Sequence, residues 1–287
     1  MFSGGKHARI LQYAIVGVIS TNMRVLKVNY VTGSNFGDCV FPYMLNKMGI
    51  PFQRVDHNEE YKVISTGSIL GVGTKRNTMV GGSGIISAST NVEPDGIFFL
   101  VRGKHSANKI RKDVPLGDPA IALSKFYKPS NKNKKYEVGL IPHQIHFDRI
   151  VEEVKELKKD YHIIDPSTRY GKNFENYIDQ VNLCERIIST SLHGLITAHA
   201  YGIPAIAYHY DNRLMGDNIK FQDYYSVWPE FEDSNVDEVL EYCTVADLDS
   251  VERFWSPSPN QINMRSDTIM DSCPFLAELG CNYYSEN

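Results

Sequence analysis

The sequence is short of several things, and each shortage removes a class of function. Cysteine is scarce: the five residues Cys39, Cys184, Cys243, Cys273 and Cys281 are odd in number and widely spaced, with no C-x-x-C pair. That excludes a disulfide framework and a structural zinc site and fits a reducing cytosol. There is no excess of basic charge. The formal net charge is -4, and lysine and arginine are scattered along the chain, so nucleic acid is not an expected partner. No short repeat period is visible, which sets aside solenoids and propellers. Long apolar runs are missing too. The stretch from Ile10 to Ile19 contains Gln12 and Tyr13 and falls well short of the roughly 20 residues of a spanning helix. Lys6, His7 and Arg9 precede it in the charge order of a signal peptide, but no small-x-small cleavage site follows at Ile19, Ser20 and Thr21. Residues 1–22 are therefore expected to be an appendage ahead of Met23. The appendage leaves peripheral membrane contact open for an otherwise cytoplasmic protein.

What remains is an ordinary soluble composition, 42% hydrophobic and 22% charged over 287 residues, a length that suits two α/β units better than one. Strand-like runs are expected at Val25–Val31, Val63–Ile64, Thr78–Val80 and Ile97–Val101, and again at Val138–Ile141, Tyr161–Ile164, Arg186–Ser189 and Ala205–Tyr208. Helical spacing fills the gaps between them, at Val40–Met48, Lys104–Lys112, Asp148–Lys159, Phe174–Val181 and Leu192–Tyr201. Strands that alternate with helices of this length imply parallel sheets with right-handed crossovers. The expected fold is two Rossmann-like α/β domains facing across a cleft, at 23–114 and 115–225. A helical segment at 226–287 follows, with amphipathic stretches at Val236–Tyr242 and Ile262–Met270.

Residues capable of chemistry sit where strands end. Ser189, Thr190, Ser191, Leu192, His193 and Gly194 mark a handover from buried strand to helix, the place where open parallel sheets bind ligands. The hydroxyls either cap the helix or reach an anion held by the free N–H groups of its first turn. His193 is then either a satisfied core histidine or an acid whose proton a bound anion would retain. Asn35, Gly37 and Asp38 form a second such turn, with Asp38 as the expected helix cap and Asn35 able to meet a sugar hydroxyl. Ser83 lies in the Gly81–Gly84 loop, Arg102 ends a hydrophobic strand and is expected at the cleft edge, and His143 ends the matching strand of the second domain. Asp247 and Asp249 form a D-x-D pattern in the tail, away from any strand end, and no metal site is expected there.

Taken in order, Asn35 to Asp38, Gly82-Ser83-Gly84, Arg102-Gly103, Gly117-Asp118-Pro119, Pro142-His143 and Ser191-Leu192-His193-Gly194 resemble the polysaccharide pyruvyl transferase family. The resemblance spans about Arg24 to Tyr225, and the Ser-Leu-His-Gly segment is its specific part. It implies a fold similar to that of two-domain GT-B glycosyltransferases, with phosphoenolpyruvate as co-substrate and no metal or other cofactor. The product would be a pyruvate ketal on a sugar of a polysaccharide or its lipid-linked precursor. His193 and Arg102 would be catalytic. Ser189, Thr190, Ser191, Leu192, Gly194 and Arg169 would bind the donor, and Asn35, Gly37, Asp38, Ser83 and His143 the acceptor. Several members carry arginine before the Leu-His pair where this chain has Ser191, so a further cation is needed, and Arg169, Arg213 and Lys220 are the candidates. Two other readings fit the same strand ends: a metal-independent glycosyltransferase using a nucleotide sugar, and a non-catalytic carbohydrate-binding subunit.

Overall fold

A computed structural model describes residues 25–33, 35–130, 133–167, 173–234, 236–242 and 244–273. The alternation expected from the sequence folds into two sheets of five parallel strands each. The first is built from β1 (Leu26–Val28), β2 (Phe52–Arg54), β3 (Val63–Ile64), β4 (Met79–Gly81) and β5 (Ile97–Leu100), in the spatial order 2-1-3-4-5. Helix α1 (Phe36–Lys47) follows β1, α2 (Leu70–Gly73) follows β3, and α3 (Lys104–Ile110) follows β5. A 3-10 turn at Pro119–Ala122 and the short α4 (Leu123–Phe126) lead to the second sheet. There β6 (Tyr136–Ile141), β7 (His162–Ile163), β8 (Cys184–Ser189), β9 (Ala205–His209) and β10 (Leu240–Tyr242) lie in the order 10-9-8-6-7. Its helices are α5 (Phe147–Glu156), α6 (Phe174–Asn182), α7 (Leu192–Ala200), α8 (Ile219–Tyr225) and the single turn α9 (Val236–Val239).

Two edge strands depart from the sequence reading. Val236–Tyr242 was expected to be one helix, but the helix stops after a turn and Leu240–Tyr242 pairs in parallel with Ala207–His209. The open edge of β9 offers unpaired backbone groups, and pairing them outweighs the weak preference of a short amphipathic stretch. The segment from 226 is accordingly not all helix. Strand β2 was not expected at all. It pairs Phe52 with Leu26 and Arg54 with Val28 at the edge of the first sheet. Helix α10 (Pro259–Ser272) does match its expected amphipathic stretch, and it begins with a capping box in which Ser258 and Gln261 exchange hydrogen bonds.

The two sheets share a core. Its largest apolar cluster runs from Leu26 and Phe41 through Ile121 and Leu123 to Tyr177, Leu192 and Leu195. Phe36 stacks on Phe174 and Tyr177, at centroid separations of 4.3 and 4.1 Å. Because each helix starts at the carboxyl end of a parallel strand, this packing brings the start of α1 against the start of α7. Asn35 bridges to Ser167, and Phe36 N–H donates to the Pro166 carbonyl at 2.8 Å. Among the described residues no helix is long and apolar enough to cross a membrane.

Candidate functional site between the two sheets

His193 lies in the first turn of α7 and is 8% exposed. Its ring presses on the backbone of Gly37 so closely that a Cβ there would overlap Nδ1. On the other side Nε2 faces Asp118 Oδ2 at 3.7 Å, beyond hydrogen-bond length. Among the described residues neither atom has a hydrogen-bond partner though both are buried, and the same is true of Asn35 Oδ1. Buried polar atoms are seldom left unpaired, and these three lie on the segments that meet where α1 and α7 begin. Desolvation pulls the His193 pKa down. Asp118 opposes that shift, while Arg102 and Lys220 add to it. Desolvation, the largest cause, favours the neutral ring.

Asp118 is the residue that sequence reasoning passed over, because Gly-Asp-Pro reads as turn punctuation. One carboxylate oxygen does the expected turn work, accepting from Ala120 N–H at 3.0 Å to cap Pro119–Ala122. The other is the unpartnered atom beside His193.

The three hydroxyls before α7 divide their roles. Ser189 Oγ donates to the Ile141 and Ser191 carbonyls and accepts from Ser191 N–H, within 2.8–3.0 Å. Thr190 Oγ1 accepts from His143 N–H at 2.6 Å and lies 3.1 Å from His146 Nδ1. Both are fully buried in holding the strand-to-helix corner. Ser191 takes the N-cap position yet makes no cap hydrogen bond with its side chain. Leu192 packs in the shared core. Gly194 is needed for packing, since a Cβ would overlap Ser189 Oγ.

Arg102 is not at a cleft edge. It is fully buried, and its guanidinium donates to Asp223 Oδ2 (2.9 Å), Ser68 Oγ (2.7 Å) and the Ile85 carbonyl (2.6 Å). The expectation took the residue after a hydrophobic strand to project at the cleft edge, whereas α8 from the second unit packs over it. Asp223 is further held by Ser106, through N–H at 2.8 Å and Oγ at 2.6 Å. Ser83 is likewise committed, donating to the Gly67 carbonyl at 2.9 Å. Asp38 does not cap α1. Asn35 holds the N-cap position, and Asp38 stands in the first turn, where burial pushes its carboxyl up to about 6.

Asp38 lines a groove of about 510 Å³ together with Tyr30, Thr32, Tyr43, Asn46 and Phe52. His143 is half-buried, and its Nδ1 accepts from Ile145 N–H at 3.3 Å, which leaves Nε2 as the protonated, donating nitrogen. Desolvation, Lys220, His146 and His193 bring its pKa down to about 4. Of the three candidates for a further cation, Arg213 is paired with Asp211 at 2.7 Å and Arg169 lies outside the described residues. Lys220 is 7% exposed.

The geometry thus sets Gly37 and Asp118 against His193, brings Lys220 and His143 within electrostatic reach of that ring, and commits the side chains of Arg102, Ser83, Ser189 and Thr190 to internal hydrogen bonds. A family model described as polysaccharide pyruvyl transferase matches residues 93–212, a span that contains Arg102, Asp118, His143 and the Ser191–Gly194 segment. "Uncharacterized protein L143" of Acanthamoeba polyphaga mimivirus is 30% identical over 243 residues, which is 79% of this chain and 81% of that protein. The chain belongs to the polysaccharide pyruvyl transferase family.

Proposed function

We propose that the protein transfers the pyruvyl group of phosphoenolpyruvate to two hydroxyls of a saccharide, forming a ketal, with the two Rossmann-like units arranged as in a GT-B transferase. The observation that carries this reading is His193 with its buried, unpartnered Nε2 beside the equally unpartnered carboxylate oxygen of Asp118. Ketal formation from an enol phosphate needs a proton on the methylene carbon, which leaves an oxocarbenium centre next to the carboxylate. A first acceptor oxygen bonds to that carbon. The carbon–oxygen bond to phosphate then breaks and a second acceptor oxygen takes its place. The two hydroxyl protons replace the one given to the methylene and leave with the phosphate.

His193 suits the proton-donor role. It is neutral in the empty site, gains a proton when an anion binds, and has Asp118 at hand to stabilise the imidazolium. The Ser191 hydroxyl and the first N–H groups of α7 meet the donor's anionic end. Asp38, ionised at neutral pH but only just, accepts an acceptor proton, and Asn35 Oδ1 orients that hydroxyl. The groove beyond Asp38, with three aromatic rings and the polar Thr32 and Asn46, suits the faces and hydroxyls of a saccharide. Arg102 is a positioning residue that acts through Asp223 and α8.

The test is phosphate release from phosphoenolpyruvate with a saccharide panel, alongside thermal unfolding with phosphoenolpyruvate or with nucleotide sugars. His193→Gln should lose at least a hundredfold in turnover, in line with general acid catalysis, and still be stabilised by phosphoenolpyruvate. Stabilisation by nucleotide sugars alone would identify a glycosyltransferase. Saturable saccharide binding without product from any donor would identify a binding subunit.

A further inference from the structure

Lys220 stands in the first turn of α8, 7% exposed. The one described contact of its ammonium group is with its own neighbour, 5.5 Å from the centroid of the Phe221 ring. Among the described residues it has no hydrogen bond and no carboxylate. Burying an ammonium group in this way is costly unless something completes its shell. The acidic residue three positions on, Asp223, is not available to it, being saturated by Arg102 and Ser106.

The groups that its charge reaches are all basic. Arg102 pushes against it, and it pushes in turn on His143 and His193. On the elements packed against α8, Lys104 of α3 is tied to Glu232, and neither it nor Glu238 of α9 perturbs Lys220. Among the described residues a buried cation is thus held without a counter-charge, within electrostatic reach of His193 and His143.

The geometry points to Lys220 as the residue that binds the phosphate of the donor, with His143 Nε2–H as its neighbouring donor, in the role that the missing arginine before Leu192 would otherwise fill. This rests on the pyruvyl-transfer reading for the identity of the donor, but the anion site itself does not. A phosphate dianion supplies the charge and the acceptor oxygens that Lys220 lacks. It also draws positive charge toward His193, which is how the arriving donor would charge that ring.

The depressed pKa of Lys220, about 8 from burial and Arg102, provides a signature that a structural role would not produce. Only the ammonium form binds the anion, so affinity should fall about tenfold per pH unit above about 8. His143 and His193 are already neutral there, and the second ionisation of a phosphate monoester, near 6, is complete. Arginine keeps its charge throughout this range.

The experiment is titration calorimetry on the full chain with phosphoenolpyruvate, inorganic phosphate and pyruvate at pH 7.0 and 9.5, for wild type, Lys220→Met and Lys220→Arg. Wild type should bind phosphoenolpyruvate and phosphate much more tightly than pyruvate, and weaken at least tenfold at the higher pH. Lys220→Met should bind either phosphate at least tenfold more weakly at pH 7.0. Because it removes an uncompensated buried charge, it should also melt higher than wild type without ligand. Lys220→Arg should bind with little dependence on pH. Unchanged affinity in Lys220→Met, or the same pH profile in wild type and Lys220→Arg, would overturn the assignment. So would failure of wild type to bind any phosphate. Binding of inorganic phosphate through Lys220 without binding of phosphoenolpyruvate would leave the anion site standing and remove the pyruvyl donor.

Discussion

Gly37 and His193 form a close contact between the two units, and a single methyl group tests it. In Gly37→Ala the new Cβ would overlap Nδ1. Overpacking of this kind costs about 1–3 kcal/mol, and the gain in helix propensity returns up to about 1 kcal/mol. The net loss of stability should therefore be small. Turnover should suffer far more, at least tenfold, because the imidazole can escape the new methyl only by leaving its place between Gly37 and Asp118. Parallel measurement of melting temperature and phosphate release checks this, and a large drop in melting temperature with normal specific activity would contradict it. The same residues show what the sequence made legible. Strand-end placement picked out His193, Asn35, Gly37 and Ser191, because parallel topology fixes which end of a strand carries ligands. It could not show that Thr190 spends its hydroxyl on His143 N–H, or that Asp118 divides its two oxygens between a cap and His193. Those facts depend on which side chains meet after the two sheets pack.

At the scale of elements, α8 is the piece that joins the units. Asp223 and Arg102 pair with both side chains fully buried, and Gly103 lies against the Asp223 backbone with no room for a Cβ. Removing one partner of a buried pair leaves the other uncompensated. Asp223→Ala should therefore lose about 3–5 kcal/mol, on the order of a 10 °C fall in melting temperature for a chain of this size. A fall of less than about 3 °C in a scanning melt would mean that water reaches the guanidinium and that the junction is looser than its burial indicates. Sequence patterning served the central strands well because both of their faces are apolar, as in Val63–Ile64 or Ile187–Ile188. It failed at the edges. Phe52-Gln53-Arg54 is too short and too polar to show a period. Val236, Val239 and Leu240 have helical spacing even though Leu240 completes a sheet. Edge strands exist because a neighbour needs hydrogen bonds, and the neighbour is remote in sequence.

For the whole molecule, pH is the informative variable. His199 is fully buried, accepts from the Tyr224 hydroxyl at Nδ1 (2.8 Å) and donates from Nε2 to the Trp255 carbonyl (3.0 Å). That is a neutral arrangement, and burial takes its pKa down to about 3. His143 is down to about 4, and His146 and His193 are also lowered, each chiefly by desolvation. Groups with depressed pKa values bind fewer protons folded than unfolded. Their stabilising contribution is complete above the unfolded value near 6.5 and is lost as pH falls toward the folded values. Asp38, raised to about 6, runs the opposite way and offsets about one proton between pH 6 and 4. The remaining imbalance predicts that unfolding free energy declines steadily from pH 7 to pH 4. Denaturant melts across that range would show it, and His199→Gln should flatten the slope. A profile independent of pH would mean that these rings are protonated in the folded state. The Arg102–Asp223 pair also sets a timetable. Its partners are 121 residues apart, so while the chain is being synthesised the first sheet is complete long before its buried guanidinium can meet a carboxylate. That sheet must wait for the ribosome to deliver α8 before its guanidinium is paired, so a helix of the second unit decides when the first unit is finished.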